Sequence, residues 1–404
     1  MTSGVSTLVN LDLTLNRDLG GCAEMWARHL KGMRHLEEVN LAYCALIDKD
    51  VEPIAVALSD IQTLVHLNLM GNTALGGCAS LWALHLKRMN HLKELLLGGC
   101  NLTDVDMKPI AESVSDMPNL SHLDLTCNDA LGSCAPLWAL HLKRMNHLKK
   151  LTLVMCNLVD DDMEHIAESV SDMPNLSHLD LTCNTALGGC ASLWALHLKR
   201  MNHLKKLTLV LCNLVDDDME PIAESVSDMP NLIHLDLTCN DALGGCASLW
   251  ALHLKRMNHL KNLILARCFL TDVDMEPIAE SVSDMPNLSH LDLTRNRALG
   301  GCASLWALHL KRMNHLKELT LVLCNLTDVD MKPIAESVSD MPNLIHLDLT
   351  WNGALGGCAS SWAQHLKLMT KHLKKLTLCG LTYEDQEYIN ASSDLNLTIL
   401  DFTP

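Results

Sequence analysis

Leucines at 120, 123 and 125, followed by Asn128, form a phrase that returns down almost the whole chain. Asn119-Leu-Ser-His-Leu-Asp-Leu-Thr-Cys-Asn128 is repeated from Leu176, Leu232, Leu288 and Leu344, and earlier from Leu64 and Leu8, always in the same step as from Leu120 to Leu176. A second version lies midway, as in Leu148-Lys-Lys-Leu151-Thr-Leu153-Val-Met-Cys156, so the true period is half that step and Cys156 stands where Asn128 stood. Leu123 and Leu125 alternate with His122, Asp124 and Thr126, the period-two pattern of a strand with one buried and one wet face. Between these strands the pattern changes to that of a helix. After Gly188 and Gly189, the positions Cys190, Leu193, Trp194, Leu198 and Met201 predict one apolar helix face that closes the core. In the other half-repeat, Asp160, Asp161 and Asp162 predict a helix cap, Pro109, Pro221, Pro277 and Pro333 are placed in the first turn of sister helices, and Pro174 or Pro230 stops the helix.

One strand and one helix, recurring every half-step of about 28 residues, cannot bury an apolar face alone, so the repeats must stack into a solenoid. The expected organisation is one domain over residues 1–404, fourteen repeats in seven double units, with a closing strand near 397–402. The first unit departs from the others at Asp18, Glu24, Met25 and Arg28. The last breaks register, with Leu381 where a cysteine is due and Leu373 one residue late. Asn16, Cys44, Asn72, Cys100 and onward to Cys324 and Asn352 predict a ladder along one edge. The asparagine amide both donates and accepts, so it can satisfy backbone groups left open where the chain turns off the strand.

Composition narrows the function. A formal charge of −17 and a pI near 5.6 argue against nucleic acid, whose binding draws on a basic surface. No apolar run reaches the roughly 18 residues of a bilayer span, and the strand at Leu8 leaves no room for a signal peptide. The expectation is a soluble, cytoplasmic chain with no membrane contact. Its 17 cysteines then read as reduced thiols, because same-column cysteines lie about 10 Å apart, beyond bridging distance. The 21 histidines fall into similarly spaced columns, as His122, His178, His234, His290 and His346 do. Neither they nor the cysteines have zinc-ligand spacing, and no metal or cofactor is expected. Trp82, Trp138, Trp194, Trp250, Trp306 and Trp362 read as core. Asp124, Asp180, Asp236, Asp292 and Asp348 read as a solvated stripe partly paired to lysines. No nucleophile elbow appears, so no catalytic residue is assigned.

The alternation of an Asn-type and a Cys-type unit of equal length resembles the ribonuclease-inhibitor class of leucine-rich repeats, as do turns such as Cys100-Asn-Leu-Thr-Asp104 and Leu131-Gly-Ser-Cys134. The resemblance implies an α/β horseshoe, with a parallel β-sheet on the concave face and helices on the convex face. That class includes the inhibitor itself, GTPase-activating proteins and the sensing regions of intracellular NACHT-type immune receptors. The implied function is a non-enzymatic recognition scaffold of innate-immune type. An enzyme inhibitor, a GTPase regulator, and a structural or engineered repeat are the alternatives. No phosphate-binding G-x-x-x-x-G-K-[ST] loop is present.

Differences among the internal copies place the candidate site. Exposed helix residues such as Glu168, Lys199 and Arg200 hardly change among the middle copies, whereas the residues flanking the ladder change freely. Tyr43, Cys127, Met155, Cys183, Leu211, Cys239, Arg267, Arg295 and Trp351 precede ladder positions, and Arg297 follows one. These ten residues are the candidate contacts for a protein or acidic ligand on the concave face. Arg267, Arg295 and Arg297 form a basic spot with Trp351 as an anchor, unless Asp292 and Asp348 neutralise it. Neither end shows a recognisable polar cap, so the solenoid ends are expected to self-associate.

Overall fold

The computed structural model describes residues 7–132, 135–189, 191–353, 355, 373–379, 383–385, 387 and 397–400, the last stretch as backbone. Cys134, Cys190, Trp362 and Leu381 lie outside the described residues. The chain divides into two units, Met1–Lys206 and Leu207–Pro404. In the first, strands Asn10–Asp12, Glu38–Asn40, His66–Asn68, Glu94–Leu96, His122–Asp124, Lys150–Thr152 and His178–Asp180 each pair in parallel with the next. In the second, parallel pairing runs from His234–Asp236 through Asn262–Ile264, His290–Asp292, Glu318–Thr320 and His346–Asp348 to Lys375–Cys379 and Leu397–Leu400. Register is constant, leucine beside leucine, as at Leu95↔Leu123 and Leu263↔Leu291. One late residue is absorbed where His346 pairs with Lys375. Helices such as Ala79–Leu86 and Asp104–Val114 fill the connections. This is the α/β solenoid architecture expected from the sequence.

The asparagine ladder closes as its chemistry requires. Asn128 is wholly buried, and its Oδ1 accepts from the amides of Cys100 at 3.2 Å and Leu102 at 2.9 Å. Its Nδ2 donates to the carbonyls of Leu97 at 3.0 Å and Leu125 at 2.7 Å. Asn72, Asn184, Asn240, Asn296 and Asn352 make the same four bonds. Cysteine, with one weak donor, reaches back to a single carbonyl of the preceding repeat, as Cys100 does to Leu69 at 3.3 Å.

The aspartates do more than cap. Val159, not an aspartate, is the N-cap of helix Asp160–Ser171, and Asp162 is its third residue. Asp162 is buried because it accepts the amide of Val159 and also that of Ala135 in the preceding repeat, both at 3.0 Å. Asp106 shows the full set, taking the amides of Gly77 at 2.7 Å, Ala79 at 3.0 Å and Thr103 at 2.9 Å. Each loop that leaves a strand is thus held by a side chain of the following repeat, alternately asparagine and aspartate. Close stacking also explains Gly76, where a Cβ would meet the Asn101 carbonyl oxygen at 1.9 Å.

Two expectations about the helices are corrected. Leu193 does not face the core: it is 48% exposed, while Ala191, Trp194, Ala195 and Leu198 are buried. The i, i+3, i+4, i+7 face consists of one large ring flanked by alanines, which lets the helix lie close to the sheet. The apolar residues all round this helix concealed which face that was. Pro109 sits sixth in helix Asp104–Val114, beyond the first turn, where a proline has no N–H to offer the carbonyl four residues back. The strand aspartates are corrected as well. Asp124 and Asp236 accept from Thr126 and Thr238 two residues on, and no lysine pairs with them among the described residues.

The described cysteines are free thiols. Burial pushes Cys100, Cys156 and Cys324 up to about 12, far from a reactive thiolate. In native thiol titration Cys127 should react first, and these three only on unfolding; early labelling of Cys156 would contradict its placement. Asn128→Ala strands several buried backbone groups and should cost about 2–4 kcal/mol in urea unfolding. Asn119→Ala, which removes an exposed bond to the Asn90 carbonyl, should cost well under about 1 kcal/mol; equal losses would contradict the ladder's role.

Candidate functional site

The variable column has an unexpected backbone. Tyr43, Cys127, Met155, Cys183, Leu211, Cys239, Arg267, Arg295 and Trp351 all have φ between 52° and 63°, in the left-handed region. The cause is local. The amides of Tyr43, Cys127, Met155, Leu211, Cys239, Arg267 and Arg295 still reach a carbonyl of the next repeat, as Cys127 does to Val154 and Arg267 to Thr294, both at 2.7 Å, and that of Trp351 reaches the Cys379 sulfur. The very next residue must then drop inward to the ladder, and a left-handed turn achieves this. Such a conformation costs an L-residue about 1 kcal/mol or more, and glycine almost nothing. Glycine is used at Gly71 and Gly99, so the geometry accepts it. Elsewhere the column carries cysteine or larger side chains, and Tyr43, Met155 and Trp351 keep much of their surface in water. The fold would be better served by glycine at these places.

A second left-handed column, two residues further on, holds Asn101, Asn157, Asn213 and Asn325, as suits a residue that tolerates this region. Ala45 at φ 51° and Phe269 at φ 54° break the series, and Phe269 is 57% exposed. Sequence reasoning passed over it. The signal was the change from Cys-Asn to Cys268-Phe269.

Phe269 lies beside the arginines. Arg267, Phe269, Arg295, Arg297, Ala298 and Leu323 line a cavity of about 530 Å³. The three arginines anticipated together are therefore brought together, and Trp351 stands outside that lining. Arg267 Nε is 4.0 Å from Asp241 Oδ1, with both groups exposed, a contact worth little in water. No carboxylate pairs with Arg295 or Arg297 among the described residues. Asp292 accepts from the Thr294 amide and Asp348 from the Thr350 amide and hydroxyl, so neither is aimed at the guanidiniums. Arginines on the helix side differ: Arg88 pairs with Asp60 at 2.9 Å and Arg144 with Asp116 at 2.8 Å, and Arg200, Arg256 and Arg312 pair with Asp172, Asp228 and Asp284. Those pairs bridge successive repeats, which accounts for the uniformity of the helix arginines.

Other candidates are separate. Cys127 Sγ lies 3.8 Å from Met155 Sδ, and Cys183 and Cys239 are half-buried. On the strands, His66 and His290 pair with Glu94 and Glu318, each at 2.9 Å. Where lysine replaces that glutamate, burial first and the neighbouring charge second push His122 and His178 below the usual histidine range.

The profile described as "Leucine Rich repeat" matches residues 32–55, 88–111 and 312–335. The chain is similar to "NACHT, LRR and PYD domains-containing protein 5" of Mus musculus, 30% identical over 267 residues, covering 65% of this chain and 23% of that protein. The Homo sapiens protein of the same name is 25% identical over 388 residues, with 92% and 30% covered. "Ribonuclease inhibitor" of Sus scrofa is 27% identical over 277 residues, with 67% and 60% covered. The chain spans between a fifth and a third of the NACHT-containing relatives. Among solved structures, an internalin from Listeria monocytogenes has a TM-score of 0.51 at 18% identity, with 93% of this chain and 82% of that one covered, a likeness of fold alone.

If the left-handed turn rather than the side chain serves the fold, Met155→Gly should stay within about 1 kcal/mol of the parent in urea unfolding. Met155→Val, β-branched at a φ of 53°, should lose about 1–2 kcal/mol. A glycine variant less stable than the valine variant would mean that the methionine side chain supports the fold.

Proposed function

We propose that this chain, a repeat-based scaffold whose leucine-rich repeats are of the ribonuclease-inhibitor type and resemble those of NACHT, LRR and PYD domains-containing proteins, recognises a protein partner through its strand exits without catalysing a reaction. The observation that carries this is the left-handed column. Side chains are kept there against local backbone preference, and they differ from copy to copy while the neighbouring ladder does not. The contact surface is read as Tyr43, Cys127, Met155, Cys183, Leu211 and Cys239, with Arg267, Arg295, Arg297 and Trp351 supplying a charged and aromatic portion. Buried, unreactive thiols favour the cytoplasm as the place of work. Among the described residues no helix is long and apolar enough to cross a membrane.

Innate-immune-type sensing is supported by the similarity to NACHT-containing proteins, and it makes the chain the recognising part of a larger assembly. Enzyme inhibition is supported by the similarity to ribonuclease inhibitor, 60% of which is covered. Immobilised chain should capture a partner from cytosolic extract, and two sets of variants should then be compared for retention of that partner. Combined Tyr43→Gly, Met155→Gly and Leu211→Gly should weaken capture by about tenfold or more. Glu168→Ala with Lys199→Ala, on the helix side, should leave it unchanged. The opposite dependence would move the contact surface to the helices. Slower turnover by a captured enzyme when the chain is added would select the inhibitor reading.

A further inference from the structure

We propose that the cavity lined by Arg267, Phe269, Arg295 and Arg297 binds a phosphate monoester carried on an aromatic ring, the chemistry of a phosphotyrosine side chain on a protein partner. This deepens the recognition reading above and rests on it.

Charge comes first. Three arginines line one cavity of about 530 Å³, and the single acidic contact to any of them among the described residues is the 4.0 Å approach of exposed Asp241 to Arg267. Arg295 stands alone as a charge in its column, which elsewhere holds Leu15, Gly71, Cys127, Cys183, Cys239 and Trp351, and the position of Arg297 is filled by Asp129, Thr185 and Asp241 in the middle repeats, with arginine recurring only at Arg17. A single carboxylate would leave most of this charge unbalanced. A phosphate monoester carries close to two negative charges and three acceptor oxygens, and guanidinium forks match it bidentately. The chain as a whole carries a charge of −17, and Asp236, Asp241, Asp292 and Asp348 flank the spot in sequence. An extended polyanion would meet those carboxylates, whereas a compact dianion meets only the arginines.

The ring comes second. Phe269 occupies a left-handed position where Asn101, Asn157, Asn213 and Asn325 sit in four other copies and Ala45 in the first, and it is exposed. An exposed phenylalanine in that backbone contributes nothing to the ladder or the core. Together with Leu323 and Ala298 it gives the cavity an apolar wall beside the guanidiniums. An aromatic ring bearing the phosphate would pack on that wall in an offset or edge-to-face manner. Free phosphate and phosphoserine would leave it unused. The residues at 267, 269, 295 and 297 thus converge on one ligand chemistry.

Titration calorimetry of the full chain tests this, using phenyl phosphate, inorganic phosphate, and short glycine-flanked peptides bearing phosphotyrosine, tyrosine or phosphoserine. Phenyl phosphate and the phosphotyrosine peptide should bind about tenfold or more tightly than inorganic phosphate and the phosphoserine peptide, and the tyrosine peptide should not bind. The variant R267A/R295A should lose all of this binding. F269N, which restores the residue of the sister repeats and so retains the fold, should keep inorganic phosphate binding and lose the preference for the ring. Melting curves for each variant confirm folding. Equal affinity for phenyl phosphate and inorganic phosphate, or undiminished binding by R267A/R295A, overturns the proposal. A captured partner that no strand-exit variant weakens, with phenyl phosphate still bound here, would sink the recognition reading instead and leave this pocket standing.

Discussion

Backbone amides that leave a strand inside a dry solenoid must find acceptors, and two buried side chains supply them by turns. Asn128 takes the amides of Cys100 and Leu102 from the repeat before it, and Asp106 takes those of Gly77 and Ala79 from the repeat before that. An unpaired buried amide costs about 1–3 kcal/mol, and every loop presents several. This alternation is the physical reason that the sequence repeats over two strand–helix units, and the helices alternate with it between short and long, as Ala79–Leu86 and Asp104–Val114 do. Each half-repeat lacks the clamp for its own loop and receives it from the next. The weak sulfur bonds of Cys100 and its equivalents are sufficient because aspartate and asparagine already hold the loops on either side.

That same requirement frees the strand exits. Once the amide before a ladder residue has paired with the next repeat, the chain turns left-handed and the side chain takes no part in the ladder. What sits there is decided by something other than stability. Glycine suffices at Gly71 and Gly99, and Tyr43, Met155, Arg267 and Trp351 are carried at a cost. On the helix side the reverse holds: Arg88, Arg144 and their equivalents tie one repeat to the next through aspartates, so uniformity there has a structural explanation.

The period, the strands, the ladder and the convergence of Arg267, Arg295 and Arg297 were all legible in the sequence, because each depends on residues at fixed spacing. Three features were not. Asp162 looked like a simple helix cap because its second partner, Ala135, lies 27 residues away, and only stacking reveals it. Leu193 looked like core because the helix Ala191–Leu198 is apolar on every side, and the close approach of alanine and tryptophan to the sheet decides its orientation. Phe269 was overlooked because a phenylalanine after a ladder cysteine looks ordinary until its backbone is known to be left-handed. The column's own backbone could have been inferred from Gly71 and Gly99, which share it with bulky residues.

Two surfaces of the chain display apolar side chains to solvent: the strand exits, and the helices with Leu81, Leu84, Leu137, Leu140, Leu249 and Leu252. The strand exits are the contact surface on this account, since only they combine backbone cost, variation among copies and unpaired charge. Hydrogen–deuterium exchange of the chain with and without a captured partner distinguishes the two directly. Added protection should fall on peptides spanning residues 264–272 and 292–300 and on the equivalent exits of other repeats, with the helices unchanged. Protection confined to peptides spanning 79–88, 135–144 and 247–256 would contradict the account.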